Sequence, residues 1–523
     1  MRAHVYFLAA LIPFSLLAHE HEHEVDLGNV GEVQLTTSCN AEAQKQIDRA
    51  DALLHSFWYA EAEKSFRRAA EADPQCGMAW WGVAMANLHP IWAPPTPAEF
   101  KNGSEAALKA KATGAKSDRE RGFIEAINVY YADADKLDHR ARMAAYEQAM
   151  NSVSAANPND HEAAIFHALA LLGTVDAKDK TYAIQKKAGE ILNRILPLEP
   201  QHPGIAHYII HSFDYPDLAN LALPAARTYA RLAPGSPHAL HMPSHIFTRL
   251  GLWDESISSN LAAAEKARNY MMHVMPGTTS FDDLHAVDYL VYAYLQRGQN
   301  EKAYKLLQRI NAVAKVDTPN FAAAYALTAV PARYALERRE WKEAAALTVP
   351  SANLPWEKFP YSEANIHFAV AIGAARSNQP DIAQRAIDRL AAIHQALVEK
   401  NDRYWADQVE IQRLDAAAWL AHDLKLMRAA ADLEASTEKH PVTPGAIIPA
   451  RELLSEMLLD LGKPEESFAD AVHALRDAPN RYNGLWLAAR SAEKSGKKEE
   501  AKNYRAKIAE LRKETAVTAS ISR

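Results

Sequence analysis

A spacing of 34 residues recurs along this chain, and it constrains the fold more than any other feature. Ala62, Phe66, Ala69 and Pro74 set a pattern of small, bulky, small and proline positions. The pattern returns as Ala188, Leu192, Ile195 and Pro200, and again, 34 residues later, as Ala222, Ala226, Tyr229 and Pro234. Near the C-terminus Gly462 and Ser467 are repeated 34 positions on by Gly496 and Ala501, with Pro479 between them. Small residues belong where two antiparallel helices approach closely, and a bulky neighbour fills the groove beside them. Proline cannot continue a helix interior, so it closes each unit. Gly251, Gly298, Asn378 and Gly462 stand where a first helix should end in a left-handed residue. A single helix pair cannot bury its own apolar face, so such pairs must stack. No alternating strand pattern competes with this reading.

The segments SFWYAEAEKSFRRAAEADP, RLGLWDESISSNLAAA and LDLGKPEESFADAVHALRDAP resemble tetratricopeptide (TPR) repeats. The resemblance runs from Cys39 to about Leu511 and implies an all-α, right-handed α-solenoid of helix-turn-helix units. It also implies that first-helix positions line a concave groove, which in this family takes a peptide or protein partner. HMPSHIFTRLGLW, from His241, is similar to a segment of uncharacterised bacterial secreted TPR proteins and implies no activity. Two units read as lengthened, one between His161 and His202 and one between Leu240 and Asp283.

The N-terminus reads differently. Arg2, an apolar run from Val5 to Leu17 and the small Ala18 have the layout of a secretory signal peptide, too short to span a bilayer. We therefore divide the chain into a leader at 1–18, a His-rich tail at 19–38 outside the fold, and the repeat array at 39–523. A periplasmic or secreted location is expected. In that setting Cys39 and Cys76, the only cysteines of 523 residues, are expected to be bridged across the first repeat; two buried thiols are the alternative. A net charge of −7 argues against non-specific nucleic-acid binding, and no later run is apolar enough to span a membrane.

Histidine carries the functional signal. His207 and His211 form H-x3-H, and His241 and His245 form a second one 34 residues on. A spacing of four puts each pair on one helical face, and a spacing of one repeat puts the pairs on adjacent, equivalent helices. Packed helices lie roughly 8–10 Å apart, a gap that imidazoles from both sides can close. Matching Gly298 to Gly251 brings Asp288 and His285 to the same surface, with His238 and Asp214 nearby. Equivalent positions elsewhere hold Ile47 and Asp51, Trp81 and Met85, or Ile165 and Leu169, so the pair is not a generic repeat feature. Imidazole with carboxylate suits Zn, Cu, Fe or Ni, and Cu or Zn is the expected ion. Asp288 is expected to complete a pocket formed by the four paired histidines, and neither His207 nor His241 is expected to carry core packing. The alternative is a polar groove for a peptide or protein partner, without metal or catalysis.

Lesser signals accompany these. Met271, Met272, His273 and Met275 offer thioethers, which favour Cu(I), or simply pack. His19, His21 and His23 make a short chelating tract or a solvated tail. His55 and His89, again 34 apart, are placed near the N-terminal mouth of the groove. HPIWAPPTPAEF, from His89, is a rigid non-helical excursion that forms a lip over the groove or a long connection. No P-loop, dinucleotide fingerprint or nucleophile elbow is present, so whether the chain is an enzyme stays open.

Overall fold

The computed structural model describes residues 25–513, so the leader and the His19–His23 tract lie outside the described residues. Over this range the chain is helical, with an isolated bridge between Thr279 and Val316 as the one strand-like pairing among the described residues. The helices run from Ala41–His55 and Tyr59–Ala72 at one end to Tyr482–Lys494 and Lys498–Leu511 at the other. Each packs chiefly on its neighbours in sequence, which is the solenoid of TPR-type pairs that the repeat spacing predicts.

The local reasons are those read from the sequence. Helix Tyr59–Ala72 buries Ala62, Ser65, Phe66, Ala69 and Ala70, one stripe at helical spacing. Gly82 of the next helix meets Phe66 so closely that a Cβ there would lie 2.2 Å from the ring. Gly251, Gly298, Asn378 and Gly462 all adopt positive φ, between 58° and 74°, just past their helices.

Cys39 and Cys76 are joined, with their Cα atoms 5.1 Å apart. The bridge ties the start of the first helix to the start of the third, at an end of the array where one face has no following repeat. Cys39→Ser/Cys76→Ser is expected to cost about 2–4 kcal/mol. Urea denaturation checks this, and an unchanged midpoint would show that the bridge adds nothing to stability.

Three features depart from an open solenoid. First, residues 25–38 are not a solvated tail: Leu27, Val30 and Leu35 are buried. The Gly235 N–H donates to the Asn29 carbonyl at 2.7 Å, and Lys266 Nζ donates to the Leu27 carbonyl at 3.1 Å. The described part of the expected tail therefore packs across the helices as an extended strap, because it carries apolar residues that its His-rich beginning lacks.

Second, the lengthening after His241 is a 22-residue helix, Trp253–Val274, followed by a loop to Phe281. The helix before it is broken. Pro243 has no N–H to give, so the chain forms Pro237–His241 and Pro243–Arg249, joined through a helical Met242.

Third, the array closes on itself. Arg481, fully buried, bonds Glu452, Glu337 and the Tyr292 hydroxyl at 2.6–2.9 Å, fastening the C-terminal repeats to the middle ones. The loop at 436–448 crosses inside, with Glu438 accepting from Lys180 and Tyr182 at 2.6 and 2.7 Å. No helix among the described residues is long and apolar enough to cross a membrane.

Candidate metal centre

Six histidines gather in the interior as two groups of three. His207, His211 and His238 form one and His241, His245 and His285 the other; within each, the ligand atoms all lie within 4.8 Å of one another. Helix Pro203–Phe213 supplies the first pair and the broken helix at 237–249 supplies His238, His241 and His245. Helix Phe281–Gln296 supplies His285. The Nε2 atoms of His207 and His211 are 3.1 Å apart, those of His207 and His238 3.2 Å, and those of His241 and His245 3.0 Å. The groups abut: His211 and His245 rings are 6.2 Å apart between centroids, and His238 and His241 rings 6.0 Å.

Outer hydrogen bonds aim the rings. His207 Nδ1–H donates to the His55 carbonyl at 2.6 Å, and His241 Nδ1–H donates to Asn260 Oδ1 at 2.6 Å. His245 Nδ1–H donates to Asp214 Oδ2 at 3.0 Å. Each of these bonds fixes the tautomer and leaves an Nε2 lone pair facing the group, as a metal-ligating imidazole requires. Close approach makes the first possible, because Gly204 lies against His55, where a Cβ would be 2.5 Å from the ring. Tyr289, one turn beyond His285, places its hydroxyl 3.2 Å from His245 Nε2.

Burial governs the charge state. None of the six histidines is more than 7% exposed. Desolvation lowers the pKa of His207 to about 3 and holds His211, His238, His241 and His285 well below the usual imidazole value. His245 is also lowered by burial, against the opposing pull of Asp214. All six are thus neutral donors at pH 7.

Asp288 does not join them. Its carboxylate takes Arg333 Nη1 at 2.8 Å, and Arg333 reaches on to the Gly445 carbonyl. The expectation that Asp288 completes the pocket is corrected: a buried guanidinium claims it. Asp214 lies one shell out, bonded to His245, to Arg249 Nε at 2.9 Å and to Lys439 Nζ at 2.6 Å. Burial opposes its ionisation, but Lys439 and Arg249 hold its pKa well below the carboxylate range.

The candidate residues also do not line an open groove, since Phe57, Trp92, Tyr229, Tyr289 and the loop at 436–448 close over them. His207 and His241 do carry packing. His207 stacks on Tyr229 at 5.1 Å and meets Phe57 at 4.4 Å, and His241 meets His285 at 4.2 Å and Tyr289 at 4.7 Å.

Trp92 of the Pro-rich excursion sits 5.2 Å from His238 and 6.2 Å from Phe57, which makes the excursion a lip over the first group. Met271 is buried while Met272 and Met275 are exposed, so no thioether cluster forms at the centre. His55 is not at a mouth: it lies beneath the centre, bonded to Tyr208 and Glu162 at 2.9 and 3.1 Å. His89 packs on Tyr59 at 4.4 Å.

Glu162 also accepts from His202 at 2.8 Å, and Asp51 lies 3.6 Å from His55. Burial disfavours a charge on His55, but Asp51 and Glu162 outweigh it and raise its pKa to about 10. This third cluster is a buried ion network that holds the His55 carbonyl against His207.

No protein-family model and no curated protein matches the chain. Solved structures give distant likenesses. One is an IFIT1 monomeric mutant with m7Gppp-AAAA, at 12% identity and TM-score 0.34, covering 91% of this chain and 98% of that one. Another is the P58(IPK) TPR domain, at 12% and 0.20, covering 87% and 99%. A third is yeast Tom70, at 11% and 0.23, covering 88% and 96%. The helix pairing and spacing described above place this chain in the class of TPR-like solenoids.

Proposed function

We propose that this chain is an exported metalloprotein of TPR-type fold whose six interior histidines bind transition-metal ions, one in each group of three. The observation that supports it most is that His207 in the first group and His241 and His245 in the second each give Nδ1–H to an outer acceptor, leaving their Nε2 atoms to face the ion of their own group. The Nε2 atoms of His207, His211, His238, His241 and His245 turn towards one another at 3.0–3.2 Å rather than to carboxylates or backbone groups. The ligand set suits Cu or Zn, for metal binding or for chemistry at an ion with an open position. A peptide- or partner-binding scaffold is the other reading; it would use the outer surface or the cavity that reaches His211 and Asp214, because the other site histidines are buried.

Metal analysis of untagged protein incubated with Cu or Zn and then desalted tests this. His238→Gln is expected to halve the bound metal, His285→Gln to halve it independently, and the double variant to abolish it. Wild-type protein without metal above trace would sink the proposal. N-terminal sequencing of the secreted form tests the leader, with a first residue near His19 expected.

A further inference from the structure

The ligand set implies more than storage. Each group offers three imidazoles and no carboxylate. The nearest acid, Asp214, is committed to Lys439, Arg249 and His245, and Asp288 is committed to Arg333. Two metal dications held side by side by neutral ligands repel four times as strongly as unit charges, in an interior that screens poorly. Among the described residues no free carboxylate bridges or neutralises them. Two monovalent ions repel far less, and imidazole suits copper. The site is therefore matched to copper in its reduced state, and its oxidised state calls for an anion brought from outside.

We propose that the two histidine groups hold a coupled pair of copper ions that binds dioxygen between them as peroxide. This rests on the metal-binding reading above. The balance is closed: each of two Cu(I) ions gives one electron, both become Cu(II), and dioxygen becomes the peroxide dianion without proton transfer. That dianion supplies the bridging charge the protein lacks. Two-metal centres place their ions about 3.5–4 Å apart, and the abutting rings of His211 with His245 and of His238 with His241 are compatible with such a pair. A cavity of about 540 Å³ reaches His211 and Asp214 from between Trp92, Tyr215, Tyr404 and His440, giving a small neutral molecule a way in. Tyr289 packs against all three histidines of the second group, with its hydroxyl beside His245.

The test uses the full mature chain, stripped by chelation, loaded anaerobically with Cu(I), and then exposed to dioxygen. Two copper ions per chain are expected. Uptake should be one dioxygen for each pair of ions, with a new near-ultraviolet charge-transfer band and most of the Cu(II) silent in EPR because the spins couple. His285→Gln should bind one copper, take up no dioxygen and stay EPR-silent as Cu(I), showing the full intensity of one uncoupled Cu(II) only after ferricyanide is added as a one-electron oxidant, and melting followed by circular dichroism shows whether it is folded. Should that variant fail to fold, the wild-type EPR intensity and uptake ratio decide alone. Two coppers with full EPR intensity would overturn coupling while leaving metal binding intact. Uptake of Zn with rejection of copper would do the same. Binding of no metal at all would overturn the metal reading itself.

Discussion

Metal-free protein is expected to lose most of its stability between pH 7.5 and pH 5, and bound metal should move that transition to lower pH. In the folded chain burial holds His207 near pKa 3 and the other five site histidines below the usual value. In the unfolded chain each titrates near ~6.5. Between those values the unfolded state binds more protons, so stability falls as pH falls, by up to ~1.4 kcal/mol per pH unit per histidine. Six together reach several kcal/mol by pH 5, a large part of a typical ~5–15 kcal/mol.

Four acids work in the opposite direction, because the folded chain holds their protons: Asp51 at about 6, Glu434 at about 7, Asp282 at about 8, and Asp415, which burial raises well above the usual value. The six site histidines, joined by His440 lowered to about 3 and His139 to about 4, outnumber them. His55, raised to about 10, is charged throughout this window in the folded chain while in the unfolded chain it gains its proton only near ~6.5, so it too works in the opposite direction, mainly between pH 7.5 and 6. Urea midpoints of the stripped protein at pH 7.5, 6 and 5 measure the effect. A midpoint that stays constant over that range would show that the histidines are not held neutral.

Local signals in the sequence account for the fold where contacts are between neighbours in the chain. The alternation at Ala62, Phe66 and Ala69, the terminating Pro74 and the left-handed Gly251 and Gly298 each act within one repeat, so their spacing was readable. The H-x3-H pairs were readable for the same reason, and the 34-residue offset correctly placed them on adjacent helices. Pro243 interrupts the second pair without changing its register, because Met242 stays helical.

Closure was not readable. Arg481 meets Glu337 and Tyr292 across 144 and 189 residues, and Lys439 meets Asp214 across 225. No periodicity predicts such contacts, so an open groove was expected where the histidines are buried. The same blindness explains Asp288: its register was right, but its partner Arg333 lies two helices on in sequence. Asn260 and Glu162 carried no signal of their own. Tyr289 did, standing four residues after His285 on the same face, and His238 and His285 proved to be full members of the groups rather than neighbours.

Asp214 is where long-range closure and the histidine groups meet, and Asp214→Asn is expected to damage both. Its carboxylate accepts from Lys439, Arg249 and His245 at once. All four residues are largely buried, and burial already lowers Lys439 to about 8 despite the neighbouring carboxylate. Removing the negative charge leaves two cations facing each other with only Glu438, 3.8 Å from Arg249, to offset them; loss of one partner of a buried ion pair costs about 3–5 kcal/mol. Lys439 can shed its proton to relieve this, but Arg249 cannot. The loop at 436–448 should then detach from the interior, exposing its neighbours to hydrogen exchange before the helices unfold. His245 would lose a charged acceptor for its Nδ1–H, and loss of such an outer partner typically weakens metal binding about 10–100-fold. The second histidine group should suffer this loss and the first should not, since His207 leans on the His55 carbonyl instead. Competition titration against a chelator resolves the two sites. Equal weakening of both, or of neither, would show that Asp214 does not act through His245.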